Sequence, residues 1–482
     1  MKIEMTNDQT SFVKAFIKNC NIADSTLKNC NFTHATIFKT GMENTELVKV
    51  NLTRSNWIQS NFSHLKIQEG KLSEASFLHS SVRESQLIDC DLKDALLLDA
   101  KAGFSIQGGV PHQITKPIIA IGWDFEHRGE FEQMTTEILR ENNMLVLPYS
   151  NSTGRHAADQ ALLFSEMEAQ YKTIALKDQS ISQQLLENTI KSSQIDQLKK
   201  DAAEILKYAD GFIVPGGADI VPSLYKSSQF PKFDFRSLLE IALLAEANQR
   251  KIPTMGICRG AQMINVFFGG TLLEDVKNQH GFHQLEWTTA PMGEQLRQKL
   301  GSNFKAESNH HQAVDKVGQG LQIVLQRENI PKMLLSEDGT FIASQIHPEI
   351  YTELKEGLQE SKLFDDKLIE QMQNTSTSEI MEIYNTVFEE VQKKLQEQYP
   401  QHVFLNRQIE LLKEGILEHA DSTIGALSSM FANRNIYLFF FEKVQSFKAS
   451  QDLLLKDPGD CQDAVCEGKI VPACDGKPNA SF

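Results

Sequence analysis

Residues 255–276 read MGICRGAQMINVFFGGTLLEDV. The run IPTMGICRG (252–260), which enters this stretch, reads as a buried strand that ends in Gly-x-Cys-x-Gly. The run that leaves it, AQMINVFFGG (261–270), has the spacing of an amphipathic helix. Only Gly256-Ile257-Cys258-Arg259-Gly260 joins the two. Glycines on either side of the cysteine permit a tight, strained turn that exposes a nucleophile between strand and helix. The helix N-terminus then favours the thiolate at Cys258. A thiol with an ordinary pKa of about 8.5 is only a few per cent ionised at neutral pH, so a base is required. His347, in ASQIHPE (343–349), supplies one, and Glu349 stands two residues on, placed to orient the ring. Upstream, Pro215-Gly216-Gly217 ends a strand where backbone N–H groups face the same point. That loop, through Gly217, and the amide of Arg259 are expected to form an oxyanion hole. A lone cysteine on an apolar strand is ordinarily an inert core residue; the glycine turn and the downstream His-x-Glu favour catalysis here.

Working outward, PIIAIGW (117–123), MLVLPY (144–149) and GFIVPGG (211–217) read as further buried strands. Helical stretches separate them, notably FEQMTTEILRE (131–141) and SLLEIALLAEANQRK (237–251). Strands alternating with helices predict an α/β domain with a parallel sheet covered on both faces. The insertion between Tyr149 and Gly211 (150–205) is long, helical and polar, and is expected to lid the active site or reshape its entrance.

The N-terminal quarter has a different period. From Phe12 through Ile17, Ile22, Leu27 and Phe32 to Leu92 and Leu97, every fifth residue is apolar. The position two before each is nearly always small, as at Ala15, Cys20, Ser25, Cys30 and Ala35. This pattern resembles the pentapeptide-repeat family. The resemblance implies a right-handed quadrilateral β-helix over residues 10–100, in which four five-residue sides close one coil and neighbouring coils bury each other. Leu65, Gly70, Met42 and Trp57 depart from the rule and are expected to mark bulges or distorted coils. The segment AKAGFSIQGGVPHQITK (100–116) reads as a linker. Residues 10–99 carry ten acidic and ten basic side chains, a balance that disfavours mimicry of DNA and leaves a spacer or docking surface as the expected role.

PGGADIVPSLY, MGICRGAQMINVFFGGTLLEDV, SNHHQAV and SQIHPE occur in the order seen in class I glutamine amidotransferase-like proteins. Arg259 after the cysteine, the long GGTLLEDV ending and the paired histidines are more similar to the γ-glutamyl hydrolase branch, typified by γ-glutamyl-γ-aminobutyrate hydrolase. The resemblance spans residues 117–350, within a domain set at 112–350. It implies Cys258 as nucleophile, His347 as general base and acid and Glu349 as third member. The substrate-binding candidates are Gly216, Arg259, Gln262, His310 and His311. The two histidines either line the pocket, as the resemblance implies, or hold their loop together. Ile346 stands where the family usually has an aromatic residue, so one pocket wall is expected to differ. His280 and His283 read as surface histidines, and no metal site is expected.

The chain has 482 residues, 41% of them hydrophobic, with room for three domains of ordinary size. No stretch approaches the length of an apolar membrane span, and MKIEMTNDQTSF has no apolar signal core, so a soluble, cytoplasmic protein is expected. A mosaic of this kind also suits delivery into another cell. Seven scattered cysteines fit a reducing compartment, and a net charge of −15 argues against binding nucleic acid or anionic membrane. Beyond Glu349, residues 351–456 read as an α-helical C-terminal module, with Thr377 or Ser378 as a cap and Ile436–Phe441 as core or interface. Residues 457–482 read as a flexible tail, Cys461, Cys466 and Cys474 lacking a fourth ligand for zinc.

Together these readings predict a cysteine-dependent γ-glutamyl amide hydrolase that works through a γ-glutamyl thioester on Cys258 and needs no cofactor. A glutaminase subunit feeding a separate synthase is the alternative enzyme. A third reading is an interaction protein whose rod or helical module docks a protein partner. No synthetase or ammonia-accepting segment is recognisable, which favours hydrolysis of a small γ-glutamyl or glutamyl-linked substrate.

Overall fold

The computed structural model describes residues 10–77, 80–123, 130–150, 157–174, 193–226, 232–300, 305–350, 433 and 435–452. The expected helical module before residue 433, the tail and its three cysteines lie outside the described residues.

In the N-terminal region strands up to Ser81–Arg83 pair in parallel with neighbours 20 residues away. Phe16–Lys18 lies beside Thr36–Phe38 and Asn56–Ile58, with Phe16 opposite Thr36 and Thr36 opposite Asn56. Asn21–Ala23, Gly41–Glu43, Asn61–Ser63 and Ser81–Arg83 make a second parallel sheet, and Thr26–Lys28, Glu46–Val48 and Lys66–Gln68 belong to a third. A row of single bridges joins Ser11, Asn31, Asn51, Lys71 and Asp91. The chain turns between these short strands at every fifth residue, including Lys14, Asn19, Asp24 and Asn29, where φ is left-handed. Side chains pay a steric cost there, and hydrogen bonds between parallel neighbours offset it: Asn19 N donates to Phe38 O at 3.1 Å and Lys39 N to Ile58 O at 3.1 Å. The small column is also explained locally. Ser25 Oγ donates to Ala23 O at 2.7 Å and Cys30 Sγ to Lys28 O at 3.4 Å, so hydroxyls and thiols serve the same corner carbonyl.

The expected distortions do not occur where the pattern breaks. Met42, Trp57 and Leu65 are buried, and the strands at Met42 and Trp57 keep the 20-residue register. Trp57 fits because Ser55 Oγ accepts its indole N–H at 2.8 Å, while its ring stacks on Phe77 with centroids 5.8 Å apart. A Cβ at Gly70 would come within 2.7 Å of Ile67, so the glycine follows from crowding. The register shifts instead between Asp91 and Lys93. Those residues pair with Val110–Gln113, and Ser85–Ile88 pairs with Phe104–Gln107. The segment read as a linker therefore continues the stack.

The second region is an α/β layer structure. In chain order it comprises β1 (Ile118–Trp123), α1 (Glu130–Glu141), β2 (Leu145–Ser150), α2 (Ala157–Ile174), α3 (Ser193–Leu206), β3 (Gly211–Val214), α4 (Phe235–Arg250), β4 (Thr254–Ile257) and α5 (Arg259–Phe267). Then come β5 (Glu286–Trp287), α6 (Pro291–Leu300), β6 (Leu321–Arg327), β7 (Ile330–Ser336), β8 (Phe341–Ser344) and a last helix, α7, over 435–452. The sheet order is β2-β1-β3-β4-β8-β7-β6-β5. The first five strands in that order are parallel and the other three antiparallel. Because β1, β3 and β4 are covered on both faces, their sequences are continuously apolar.

Three features differ from the sequence reading. The described parts of the insertion are core: Leu163, Met167 and Tyr171 of α2 and Ile195, Leu198 and Ala202 of α3 are buried with Leu238 and Ile241 of α4. Side chains packed inward against α4, not a polar lid, account for the described parts of these helices. Second, the chain returns to the sheet after residue 432: Ile436, Tyr437, Phe439, Phe440, Phe441 and Val444 of α7 are buried in the same cluster as Ile119, Ile213 and Ile342. Third, the N-terminal stack does not own a separate core on every side. Phe38 and Ile58 belong to that same cluster, with Ile138 and Leu139 of α1. They are directly paired on neighbouring parallel strands, so this sheet presents an apolar row to α1.

Charged pairs flank this seam. Lys14 Nζ lies 3.0 Å from Glu137 Oε1, Arg140 Nη1 lies 3.1 Å from His34 Nδ1, and Arg140 Nη2 donates to Arg54 O at 2.9 Å. Glu74 joins Arg54 at 2.9 Å and Lys116 at 2.6 Å. Among the described residues no helix is long and apolar enough to cross a membrane.

Candidate active site

Cys258 is the N-cap of α5 and adopts φ 51° and ψ −106°. A non-glycine residue held there stores strain of order 1–3 kcal/mol, which the surrounding packing must sustain. The neighbouring glycines make that packing feasible. A Cβ at Gly256 would lie 2.4 Å from Gly260 O, and one at Gly260 would lie 2.0 Å from Val214 O. Cys258 N donates to Ser344 O at 2.7 Å, which ties the turn to β8.

The chain leaving β8 passes beside this turn. His347 and Glu349 are both buried, and His347 Nδ1 lies 2.7 Å from Glu349 Oε1. Burial alone would lower the histidine pKa, but the Glu349 carboxylate and the Cys258 sulfur outweigh it and hold His347 up to about 11. An imidazole so placed, between a sulfur and a carboxylate, is able to give and to take a proton. The Glu349 side has its own support. Tyr437 OH of α7 lies 3.2 Å from Thr135 Oγ1 of α1; burial first, and Glu349 second, push the Tyr437 phenol well above its usual range.

The glycine loop after β3 closes over the pair. A Cβ on Gly216 would stand 3.7 Å from both Cys258 Cβ and His347 Cε1, so this backbone abuts both reactive side chains. Gly217 has φ 144°, open to glycine alone, and a Cβ there would meet Arg236 Nη1 at 2.3 Å. Arg236 Nη2 donates to Gly216 O at 2.7 Å and Pro215 O at 3.1 Å, and Nε to Glu240 Oε1 at 2.7 Å. Arg259 donates to the other Glu240 oxygen and, at 2.8 Å, to Ser237 Oγ. Burial would raise the Glu240 carboxyl, but Arg259 and Arg236 hold it below its ordinary value.

The structure thus brings Cys258, His347, Glu349 and Gly216 together, with Gly217 next in the loop. It places other candidates elsewhere. The Arg259 guanidinium is buried against Glu240 and not directed at a substrate, so only its backbone amide remains a candidate. Gln262 Nε2 donates inward to Gln312 O at 2.8 Å and Gln345 Oε1 at 3.1 Å. His310 is buried, with Nδ1 2.7 Å from Gln312 O, and holds its loop together. His311 is exposed, 3.0 Å from Asp219 Oδ1, and joins its loop to the glycine loop. Ile346 is fully buried in the core and forms no pocket wall. His283 is half-buried on a strand (His280–Gln284) paired with Lys305–Asn309, not a simple surface residue.

Sequence reasoning missed Arg236 and Glu240, whose signal was an Arg and Glu four apart on a helix otherwise apolar on that face. It also missed Gln345, whose side-chain nitrogen lies 3.6 Å from Cys258 Sγ.

Residues 192–349 match the peptidase C26 family model. Over this segment the chain is similar to class I glutamine amidotransferase-like proteins. It is 35% identical over 161 residues to a glutamine amidotransferase-like protein of Mycobacterium tuberculosis, covering 30% of this chain and 52% of that one. It is 33% identical over 157 residues to one from Schizosaccharomyces pombe, covering 29% of this chain and 62% of the relative. The matched part thus spans between half and two thirds of these relatives. A solved glutamine amidotransferase of Thermotoga maritima aligns over 67% of this chain and 99% of its own at 15% identity, with a TM-score of 0.33. The amidotransferase-like domain is consistent with cysteine-dependent amide hydrolysis.

Proposed function

We propose that this protein is a cysteine-dependent γ-glutamyl amide hydrolase with Cys258, His347 and Glu349 as its catalytic residues. The observation that carries the reading is His347, held by Glu349 at 2.7 Å on one side and coupled to the Cys258 sulfur on the other, beside the Gly216 backbone. The Cys258 thiolate attacks the γ-carbonyl of a glutamyl amide, and the tetrahedral oxyanion is stabilised by the amides of Gly217 and Arg259. The C–N bond breaks as His347 gives its proton to the departing amine, leaving a γ-glutamyl thioester. His347 then takes a proton from water, whose oxygen attacks the thioester carbonyl. The C–S bond breaks, and the glutamyl acid and the Cys258 thiolate are regenerated.

In this reading residues 10–100, together with the strands up to 113, form a pentapeptide-repeat β-helix that acts as a spacer or docking element, and residues 112–350 with α7 form the hydrolase. The cytoplasm is the proposed location. Incubation with γ-glutamyl amines, folyl polyglutamates and glutamine, with products read by mass spectrometry, tests the activity. Release of the amine by the wild type and not by Cys258→Ala is expected; no release from any member would overturn it. The relatives' descriptions favour one second reading, a glutaminase subunit that passes ammonia to a separate synthase. In that case glutamine alone among the panel is hydrolysed, and a partner protein stimulates it.

A further inference from the structure

Lys332 of β7 is 0% exposed, yet none of the steps above uses it. Its Nζ donates to Gln279 Oε1 at 2.7 Å and Ser308 Oγ at 2.9 Å, and lies 2.8 Å from His310 Nε2. These are three partners for the three N–H bonds of an ammonium. A buried lysine without such partners would be strongly destabilising.

The contacts continue in one direction. Gln312 O can only accept, so His310 Nδ1, 2.7 Å away, carries a proton. Gln312 O also accepts from Gln262 Nε2 at 2.8 Å, and the same nitrogen lies 3.1 Å from Gln345 Oε1. Gln345 then presents its amide nitrogen to Cys258 Sγ at 3.6 Å. A second link is direct, because Gln345 N donates to Lys332 O at 2.9 Å.

We propose that Lys332 is a positioning residue for the Cys258 centre, fixing His310 and, through Gln312 and Gln262, the Gln345 amide that faces the sulfur. This rests on the reading of Cys258 as the nucleophile. Burial, with a smaller contribution from Arg327, pushes the Lys332 pKa down to about 7, against Cys258 and Glu328. The arrangement tolerates either protonation state. An ammonium donates to His310 Nε2; if the proton sits on the imidazole, Nε2–H donates to the amine. In both cases Nδ1–H stays on Gln312 O, so the orientation of the chain of side chains is preserved. A terminal amide donor that faces the sulfur favours the thiolate and limits the sulfur to one rotamer.

The test uses the full chain and two readouts. Alkylation of Cys258 by iodoacetamide, followed by intact mass, needs no turnover; hydrolysis of γ-glutamyl-p-nitroanilide separates kcat from KM. Lys332→Met should slow alkylation and lower kcat by about tenfold each, with KM within about twofold of wild type. Gln345→Leu should do the same, and the double variant should lose no more than either single one. Additive losses, or a folded Lys332→Met protein that alkylates at the wild-type rate, overturn the proposal. Should Lys332→Met not fold, His310→Leu carries the test, since leucine has neither the partner of Lys332 nor the donor to Gln312 O. Its alkylation should fall by the same factor, and a wild-type rate overturns the proposal. Absence of turnover with intact alkylation differences would count against the hydrolase reading alone.

Discussion

Asn433 donates its side-chain amide to the backbone carbonyl of His347 at 3.4 Å, although 86 positions separate them. The residue that carries the proposed proton transfer is thus braced from a position just before α7, beyond the segment that matches the family model. A chain ending at residue 432 would leave Ile119, Ile213 and Ile342 without the apolar face of α7. Loss of several such buried side chains exceeds the stability of a typical domain. The truncated chain should therefore fail to fold, as read by circular dichroism and gel filtration. Asn433→Ala should fold and lower kcat by a few-fold; an unchanged kcat would show that this brace has no part in turnover.

The three proposed catalytic groups have unequal roles. Cys258→Ala removes the atom that forms the thioester, and turnover should fall by several decades, on the order of 10⁶ by the precedent of a lost nucleophile. His347→Ala removes the proton carrier, whereas Glu349→Gln leaves an imidazole with poorer orientation. The histidine variant should lose more. Single-turnover rates that are equal, or reversed, in folded proteins would contradict the assignment.

Glu240 has both oxygens committed, one to Arg236 and one to Arg259. Removing it leaves two guanidinium groups without their buried counter-charge, and breaking such a pair costs about 3–5 kcal/mol. Glu240→Gln should lower the urea midpoint accordingly. Activity should fall further than stability alone explains, because Arg236 also holds the carbonyls of Pro215 and Gly216. Full activity at temperatures where the variant is folded would separate the glycine loop from this network.

At the seam between the N-terminal parallel sheets and α1, His34 accepts from Arg140. Burial, then Arg140 and Arg54, lower its pKa from 6.5 to about 4. The unfolded chain binds this proton more readily than the folded one, so this contribution is present above pH 6.5 and is lost as pH falls through about 4. His34→Gln offers Arg140 an acceptor that does not titrate. Between pH 7 and 4.5 the urea midpoint of the wild type should fall more than that of the variant; parallel curves would mean that His34 does not sense pH.

The same seam decides what a truncation should do. Phe38 and Ile58 are 0% exposed against α1, so a chain starting at Pro111 uncovers Ile138 and Leu139. Such a chain should aggregate or melt well below the intact protein. Phe38→Ala should cost about 3–5 kcal/mol. A soluble chain from Pro111 with wild-type stability would show that the two regions fold independently after all.

The sequence alone determined the local geometry on both sides of this molecule. A five-residue period needs only neighbouring side chains to make each turn, and Gly256-Ile257-Cys258-Arg259-Gly260 needs only its own sterics to make the elbow. The pairing of His347 with Glu349 was equally local, two residues apart. Tertiary structure decided everything that depends on positions far apart meeting. It turned Phe38 and Ile58, 20 residues apart, into one apolar row, buried the Arg259 guanidinium against Glu240, linked Lys332 to Cys258 through the side chains of His310, Gln262 and Gln345 and the Gln312 carbonyl, and set Asn433 against His347. Periodicity records what each residue does to its neighbours; burial against a distant element leaves no period, only an apolar or charged residue whose partner appears once the chain has closed upon itself.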